Sequence, residues 1–379
     1  MKNEHCYTNM ILLIVLTGSL LTACAPTQPA IYKTTTWVVE PNLALDALCF
    51  IGIMTGDPYY QNYYSWEYQR FEPKLTPETR QALANIFASK QKYGFLISAA
   101  LTPIFIKLQP KTLEDLAKAL QYPEKLFDEE SLGNWDVSMW QLFLSHVPDL
   151  KVIVAWLQAS GFQVDWENNY LPELKEKARK LMAELPEYNV IPLIEKYARK
   201  PLAFDSLTIY LAHYVLPFGV GLDSDHSLFY PQISTADLVD YAIHEFFHSV
   251  IRNVDEDPKL WEALYFVKDD AFYMQNFKDH DPSFGYNTLE EYIEEDVVEA
   301  MDQLIAEEAE VAQDAVTRWR NSSPNLQILT PIVYSLLCSE DFANGAETYP
   351  EFLIRMVQEG KLKAGMIESA NHKFLGLNQ

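Results

Sequence analysis

The sequence predicts an α+β fold, mostly helical, with a small β-sheet beside one buried helix. Three observations lead there. Helix-start signals recur through the first two hundred residues, two runs rich in β-branched and aromatic residues follow between 207 and 233, and the segment opening at Thr235 is apolar on nearly every face. The chain has 379 residues, 49% of them hydrophobic, enough for a sizeable core and more than one small core usually holds. Two lobes are therefore expected, a helical one over 37–200 and a second over 201–379.

At the N-terminus, Lys2 precedes an apolar run from Met10 to Leu21 that is too short to span a bilayer, so residues 1–23 are expected to be a signal peptide. The run ends Leu21-Thr22-Ala23-Cys24, which resembles the bacterial lipobox. That resemblance implies cleavage before Cys24 and a lipid on it, and Ala25 after the cysteine implies the outer membrane. The expected location is the bacterial cell envelope, facing the periplasm or the cell surface, with membrane contact through the lipid anchor only. Residues 24–36 lack apolar periodicity and are expected to form a tether. Cys49 and Cys338 remain, as one disulfide or as two free thiols.

The first lobe takes its helices from local signals. Thr76-Pro77-Glu78 combines a capping residue, proline at the first helical position and an early acid, followed by Ala82, Leu83, Ile86 and Phe87 at helical spacing. Thr112-Leu113-Glu114 and Leu171-Pro172-Glu173 are similar starts. Tyr59-Tyr60 and Tyr63-Tyr64 could line a sugar or peptide site, but are expected to pack in the core or just under the surface.

Leu207 to Val215 predicts a strand and Ser227 to Ile233 a second one. Between them Gly219-Val220-Gly221 and Asp223-Ser224-Asp225 mark a turn. His213 and the Asp223, Asp225, His226 group have no metal-site spacing, so turn chemistry is expected there.

The helix from a Thr235 N-cap carries His244-Glu245-x-x-His248. At about 100° per residue the two histidines lie about 40° apart on one face, so both imidazoles can reach one ion. Glu245 sits a quarter-turn round, able to address a water on that ion without being a ligand. Zinc catalysis needs this set: two neutral nitrogen donors, an open position for water, and a carboxylate to take the water's proton. With 8 His in 379 residues, chance supplies such a motif on the order of 0.01 times. The flanking Val239, Ala242, Ile243, Phe246, Phe247 and Val250 bury the helix, where unliganded histidines and a glutamate are costly.

No third histidine follows at short spacing, since only His280 and His372 lie downstream. The helix from about Leu289 offers Glu291, Glu294, Glu295 and Glu299. Its apolar stripe runs through Ile293, Val297, Met301 and Leu304, with Glu294 at the edge and Glu291, Glu295 and Glu299 on the opposite face. Glu295 is the favoured third ligand, and Glu299 a candidate acceptor for a ligand histidine N–H. A solvated acidic face would look alike.

His244-Glu245-x-x-His248 with a glutamate on a later helix resembles the gluzincin type of zinc metallopeptidase. Pro41-Asn42-Leu43-Ala44-Leu45, Gly56-Asp57-Pro58-Tyr59-Tyr60, the motif helix and Glu295-Asp296-Val297-Val298-Glu299-Ala300 are similar to an uncharacterised family of bacterial secreted or lipoprotein metallopeptidases. The position of Glu299 departs from that family, where arginine is usual. The resemblance implies a zincin-like fold with 201–379 as the catalytic lobe and Zn²⁺ held by His244, His248 and Glu295. It also implies Glu245 as general base and then proton donor to the leaving amine, acting on peptide or protein substrates. An oxyanion stabiliser is expected from Tyr349, Tyr334 or His372, and an edge strand that pairs with substrate backbone from Ser227–Ile233.

The net charge is −24 at pH 7, from 53 Asp+Glu against 29 Lys+Arg. This excludes nucleic acid as a partner, because binding a phosphate backbone requires a basic face. Residues 255–310 hold 18 of the acids and 3 lysines. Solvation of surface helices accounts for that block as well as steering of basic peptides does. Two rival readings are a non-catalytic zinc-containing binding lipoprotein and an amidase acting on cell-wall material. Glu245 separates the first rival from catalysis, since structural zinc needs a fourth protein ligand and no base.

Overall fold

In the computed structural model the described residues are 34–126, 137–216, 219–251, 254, 256–282 and 286–377. The expected signal peptide, Cys24 and most of the expected tether lie outside them. Thr36, at the tether's expected end, opens strand β1 (Thr36–Pro41), whose alternation buries Trp37 and Val39.

Asn42 then caps α1 (Leu43–Met54), its side chain accepting the Leu45 N–H at 3.0 Å. Every residue of α1 is buried, as an all-round apolar helix requires. The capping signals behave as their chemistry predicts. Asp57 and Pro58 start α2 (Pro58–Phe71), and Thr76 caps α3 (Pro77–Tyr93), which Gly94 ends in the left-handed region. After α4 (Ile97–Ile106), Thr112 and Asp115 form a reciprocal capping box on α5 (Leu113–Ala119). Helices α6 (Val137–Ala159), α7 (Phe162–Asn169), α8 (Leu171–Glu184) and α9 (Val190–Ala198) follow. Of the aromatic pairs, Tyr60 and Tyr64 are in the core and Tyr63 is exposed.

The sheet has four strands in the order β1-β2-β4-β3, with β2 (Ser206–Leu211), β3 (Val220–Gly221) and β4 (His226–Phe229). Strand β2 is parallel to β1 and to β4, while β3 is antiparallel to β4. Two expectations change here. Strand β2 stops at Leu211 instead of Val215 because the buried Asp46 carboxylate accepts the His213 and Tyr214 N–H groups, at 2.9 and 2.7 Å, and turns the chain into a 3₁₀ turn. Strand β4 stops at Phe229, just short of Pro231, which has no N–H to donate. It is also paired on both sides, so Ser227–Ile233 supplies no edge strand; the edges are β1 and β3.

Strand β1 comes from one side of residue 200 and pairs along its whole length with β2 from the other. Residues 33–379 cluster as one compact unit. Cys49 is a buried and Cys338 an exposed free thiol.

The remaining helices are α10 (Thr235–Phe247), α11 (Pro258–Leu264), α12 (Ala271–Asp279), α13 (Leu289–Glu308), α14 (Ala315–Arg320), α15 (Thr330–Ser339), α16 (Tyr349–Gln358) and α17 (Ile367–Leu375). The cap of α10 is Ser234, whose Oγ accepts the Asp237 N–H, so Thr235 is the first helical residue and not the cap. Helix α10 packs against α13, and α13 against α15. Asp296 of α13 fastens that second contact, its buried carboxylate accepting the Leu329 and Thr330 N–H groups and the Thr330 hydroxyl. Among the described residues no helix is long and apolar enough to cross a membrane.

Candidate metal centre

Helix α10 ends at Phe247, and His248 opens a 3₁₀ turn while keeping helical dihedrals, so it stays one turn beyond His244 on the same face. The two rings meet nearly perpendicular, with centroids 4.9 Å apart and Nε2 atoms 3.2 Å apart. Facing them from α13, Glu295 Oε2 lies 3.4 Å from His244 Nε2 and 3.7 Å from His248 Nε2. Three candidate ligand atoms from the residues singled out in the sequence thus converge on one point.

Helix α13 is buried from Tyr292 to Gln303. Its acidic face is not solvated; it is the wall of this centre. Glu291 is no candidate ligand, because its carboxylate accepts the Thr288 N–H in a capping box. Glu294 turns toward His248, whose Nδ1–H donates to Glu294 Oε1 at 2.9 Å. His244 Nδ1–H donates to Asp302 Oδ2 at 2.6 Å, with Glu299 Oε2 3.4 Å away. Both histidines therefore have Nδ1 engaged by a carboxylate and Nε2 aimed inward, which leaves Nε2 as the nitrogen open to a metal.

Behind Asp302 stands Arg318 of α14. Its Nε is 2.8 Å from Glu299 Oε1 and its Nη1 3.0 Å from Asp302 Oδ1, with Asp240 Oδ1 at 3.5 Å. Trp319 Nε1–H also donates to Glu299 Oε1 at 3.0 Å. The resemblance expects arginine where this chain has Glu299, and here a guanidinium meets that glutamate from another helix.

Electrostatics follow from this crowding. Burial pulls His244 down, but Glu295, Asp302 and Glu299 outweigh it and hold the imidazole well above its ordinary value. His248 rises likewise through Glu294 against the same burial. Burial raises Glu299, yet Arg318 and His244 bring it down to about 2. Asp302, with no solvent and Glu299 beside it, is raised despite Arg318. Five buried carboxylates, those of Asp240, Glu294, Glu295, Glu299 and Asp302, gather around the two histidines, and three of them, Asp240, Glu299 and Asp302, meet the Arg318 guanidinium.

Glu245 is half-buried, and its side chain lies against Gly221 of β3. The expected oxyanion stabilisers are elsewhere. Tyr349 is fully buried and donates to the Val297 carbonyl at 2.6 Å, Tyr334 donates to Glu307, and His372 packs edge-on to Phe272. Tyr286 is the tyrosine that faces the centre. Its hydroxyl interacts with Glu295 and it is close enough to feel His244 and Glu245; burial, then Glu295, holds its phenol protonated. Its backbone has φ 58°, an uncommon conformation for so bulky a residue.

Asp302, Arg318 and Tyr286 are not among the residues the sequence singles out. Asp302 had a signal: Glu295, Glu299 and Asp302 are spaced i, i+4, i+7 on one helical face. Arg318 and Tyr286 had none. Asp223, Asp225 and His226 form the turn chemistry expected, His226 Nδ1 lying 2.8 and 3.1 Å from the two carboxylates. His213 stands apart, beside Glu67. Compared with protein-family models, with curated proteins and with solved structures, the chain finds no match.

Proposed function

We propose that this chain is a zinc-dependent metallopeptidase of the gluzincin type with a zincin-like fold, lipid-anchored through Cys24 in the bacterial cell envelope. The observation that carries the reading is the triangle of His244 Nε2, His248 Nε2 and Glu295 Oε2, with edges of 3.2, 3.4 and 3.7 Å. Ligands about 2.0–2.1 Å from a tetrahedral zinc are separated by about 3.3 Å, so the triangle is one face of such a site. Glu295 Oε2 is buried and makes no hydrogen bond among the described residues. A divalent cation satisfies that atom and offsets the charge of the buried Glu295 carboxylate.

His244, His248 and Glu295 would hold the zinc, which when bound would supply a Lewis acid and lower the pKa of a water to about 7. Glu245 takes the proton of the attacking water and passes it to the leaving amine nitrogen as the C–N bond breaks. Asp302 and Glu294 keep both imidazoles in the ligating tautomer. Tyr286, kept protonated, offers its O–H to the substrate carbonyl oxygen as negative charge develops there. Strand β3, the sheet edge beside α10, offers backbone groups to an extended peptide.

The test is zinc content and hydrolysis of a mixed peptide library, measured on the wild type and on Glu245→Gln. The wild type should hold about one zinc and cleave, and Glu245→Gln should keep the metal and lose turnover by roughly 10²–10⁴-fold. Zinc without cleavage in the wild type would sink the peptidase reading.

A further inference from the structure

Gly219-Val220-Gly221 reads in sequence as a turn. In the fold, however, Val220–Gly221 is an edge strand, β3, and Gly219, just before it, lies two residues from Gly221. Both are bare where side chains press closest. A Cβ on Gly219 would run into the Phe229 ring. A Cβ on Gly221 would run into Glu245 Oε2 and lie 3.3 Å from its Cδ and 3.7 Å from its Cβ. The Glu245 side chain therefore lies across the Gly221 Cα.

Backbone freedom does not explain this glycine, since Gly221 is not in the left-handed region and any L-residue can adopt its conformation. The strand is also tied down. Gly221 pairs with Ser227, and the Leu222 N–H donates to the His226 carbonyl at 2.9 Å. The Glu245 carboxylate itself makes no hydrogen bond or ion pair among the described residues. Its position is set by what it rests on.

We propose that Gly221 is a positioning residue for the Glu245 carboxylate, the missing Cβ being the space in which the base is seated. The inference rests on Glu245 acting as the base. A methyl group at 221 meets the end of a flexible side chain and no backbone, so it moves the carboxylate while sparing the fold and the metal ligands.

The experiment is a cycle of Gly221→Ala, Glu245→Ala and the double variant in the full chain, read three ways. Zinc content should equal wild type in Gly221→Ala. Its kcat should fall about 10- to 100-fold with KM little changed, and the double variant should be no slower than Glu245→Ala alone. In the metal-free protein, alanine at 221 should raise Tm by about 1–2 °C in the Glu245→Ala background, where the space is vacant, and should not raise it where Glu245 is present. Wild-type kcat in Gly221→Ala, or the same Tm change in both backgrounds, would overturn the proposal. If the wild type cleaves no peptide, the metallopeptidase reading fails separately, and the thermal cycle still decides whether Gly221 seats Glu245.

Discussion

Among the described residues, histidine and carboxylates offer three candidate ligand atoms within 4.8 Å of one another at two places, the centre around His244, where Glu299 and Asp302 form a second such set on the same histidine, and the turn at His226. In the centre between α10 and α13, the carboxylates of Asp302 and Glu294 take the outer nitrogens of His244 and His248, leaving the inner nitrogens and Glu295 Oε2 to converge. In the turn between β3 and β4, Asp223 and Asp225 both address His226 Nδ1. Burial lowers that imidazole, but the two acids outweigh it and push it up to about 9, so the cluster is already a satisfied ion pair. Proximity of ligand types does not by itself make a metal site. The carboxylates use Nδ1 in both places; what decides is whether further donor atoms are left to converge, as Nε2 of both histidines and Glu295 Oε2 do in the centre.

The comparison breaks most visibly at the ligands. Under micromolar zinc, His248→Ala or Glu295→Gln should take the stoichiometry from about one to near zero, measured by elemental analysis after gel filtration, because three protein ligands are the minimum for an open site. Next in size is Tyr286→Phe, expected to lower kcat about 10²-fold with zinc content and KM close to wild type. Asp302→Asn should keep turnover at saturating metal but weaken zinc binding about 10- to 100-fold in a competition titration with a chromophoric chelator. An unchanged affinity would remove Asp302 from its supporting role.

The smallest effects belong to the turn. Asp223→Asn should leave zinc affinity at wild type, since the turn holds no part of the centre. Its signature is in stability against pH. His226 is raised from 6.5 to about 9 in the fold, so the stabilisation from its ion pair is complete below pH 6.5 and is lost as pH rises to 9. Thermal melts across that window should show the loss in the wild type and a shallower one in Asp223→Asn. The difference should be small because the pair is partly solvated.

Local chemistry made much of this legible. Caps at Thr76 and Thr112, the Leu171-Pro172 helix start and the His244-Glu245-x-x-His248 spacing all act within a turn or two of chain, so they survive without tertiary context. Glu295 was reachable from the apolar stripe of α13, although the reason differs, since its face is buried and not open to solvent. What escaped depends on distant segments. Arg318 reaches the centre from α14, Tyr286 arrives from outside any helix, and Asp46 ends β2 from 167 residues away. Strand β3 is two residues long, too short for an alternating pattern, and its glycines give the signal of a turn while serving close approach.

The most direct test of the centre is X-ray absorption at the zinc edge of the zinc-loaded chain. One zinc per chain is expected, with nitrogen and oxygen donors at about 2.0–2.2 Å and scattering from two imidazoles. Substoichiometric zinc, or a sulfur shell at about 2.3 Å pointing to a cysteine site, would contradict it.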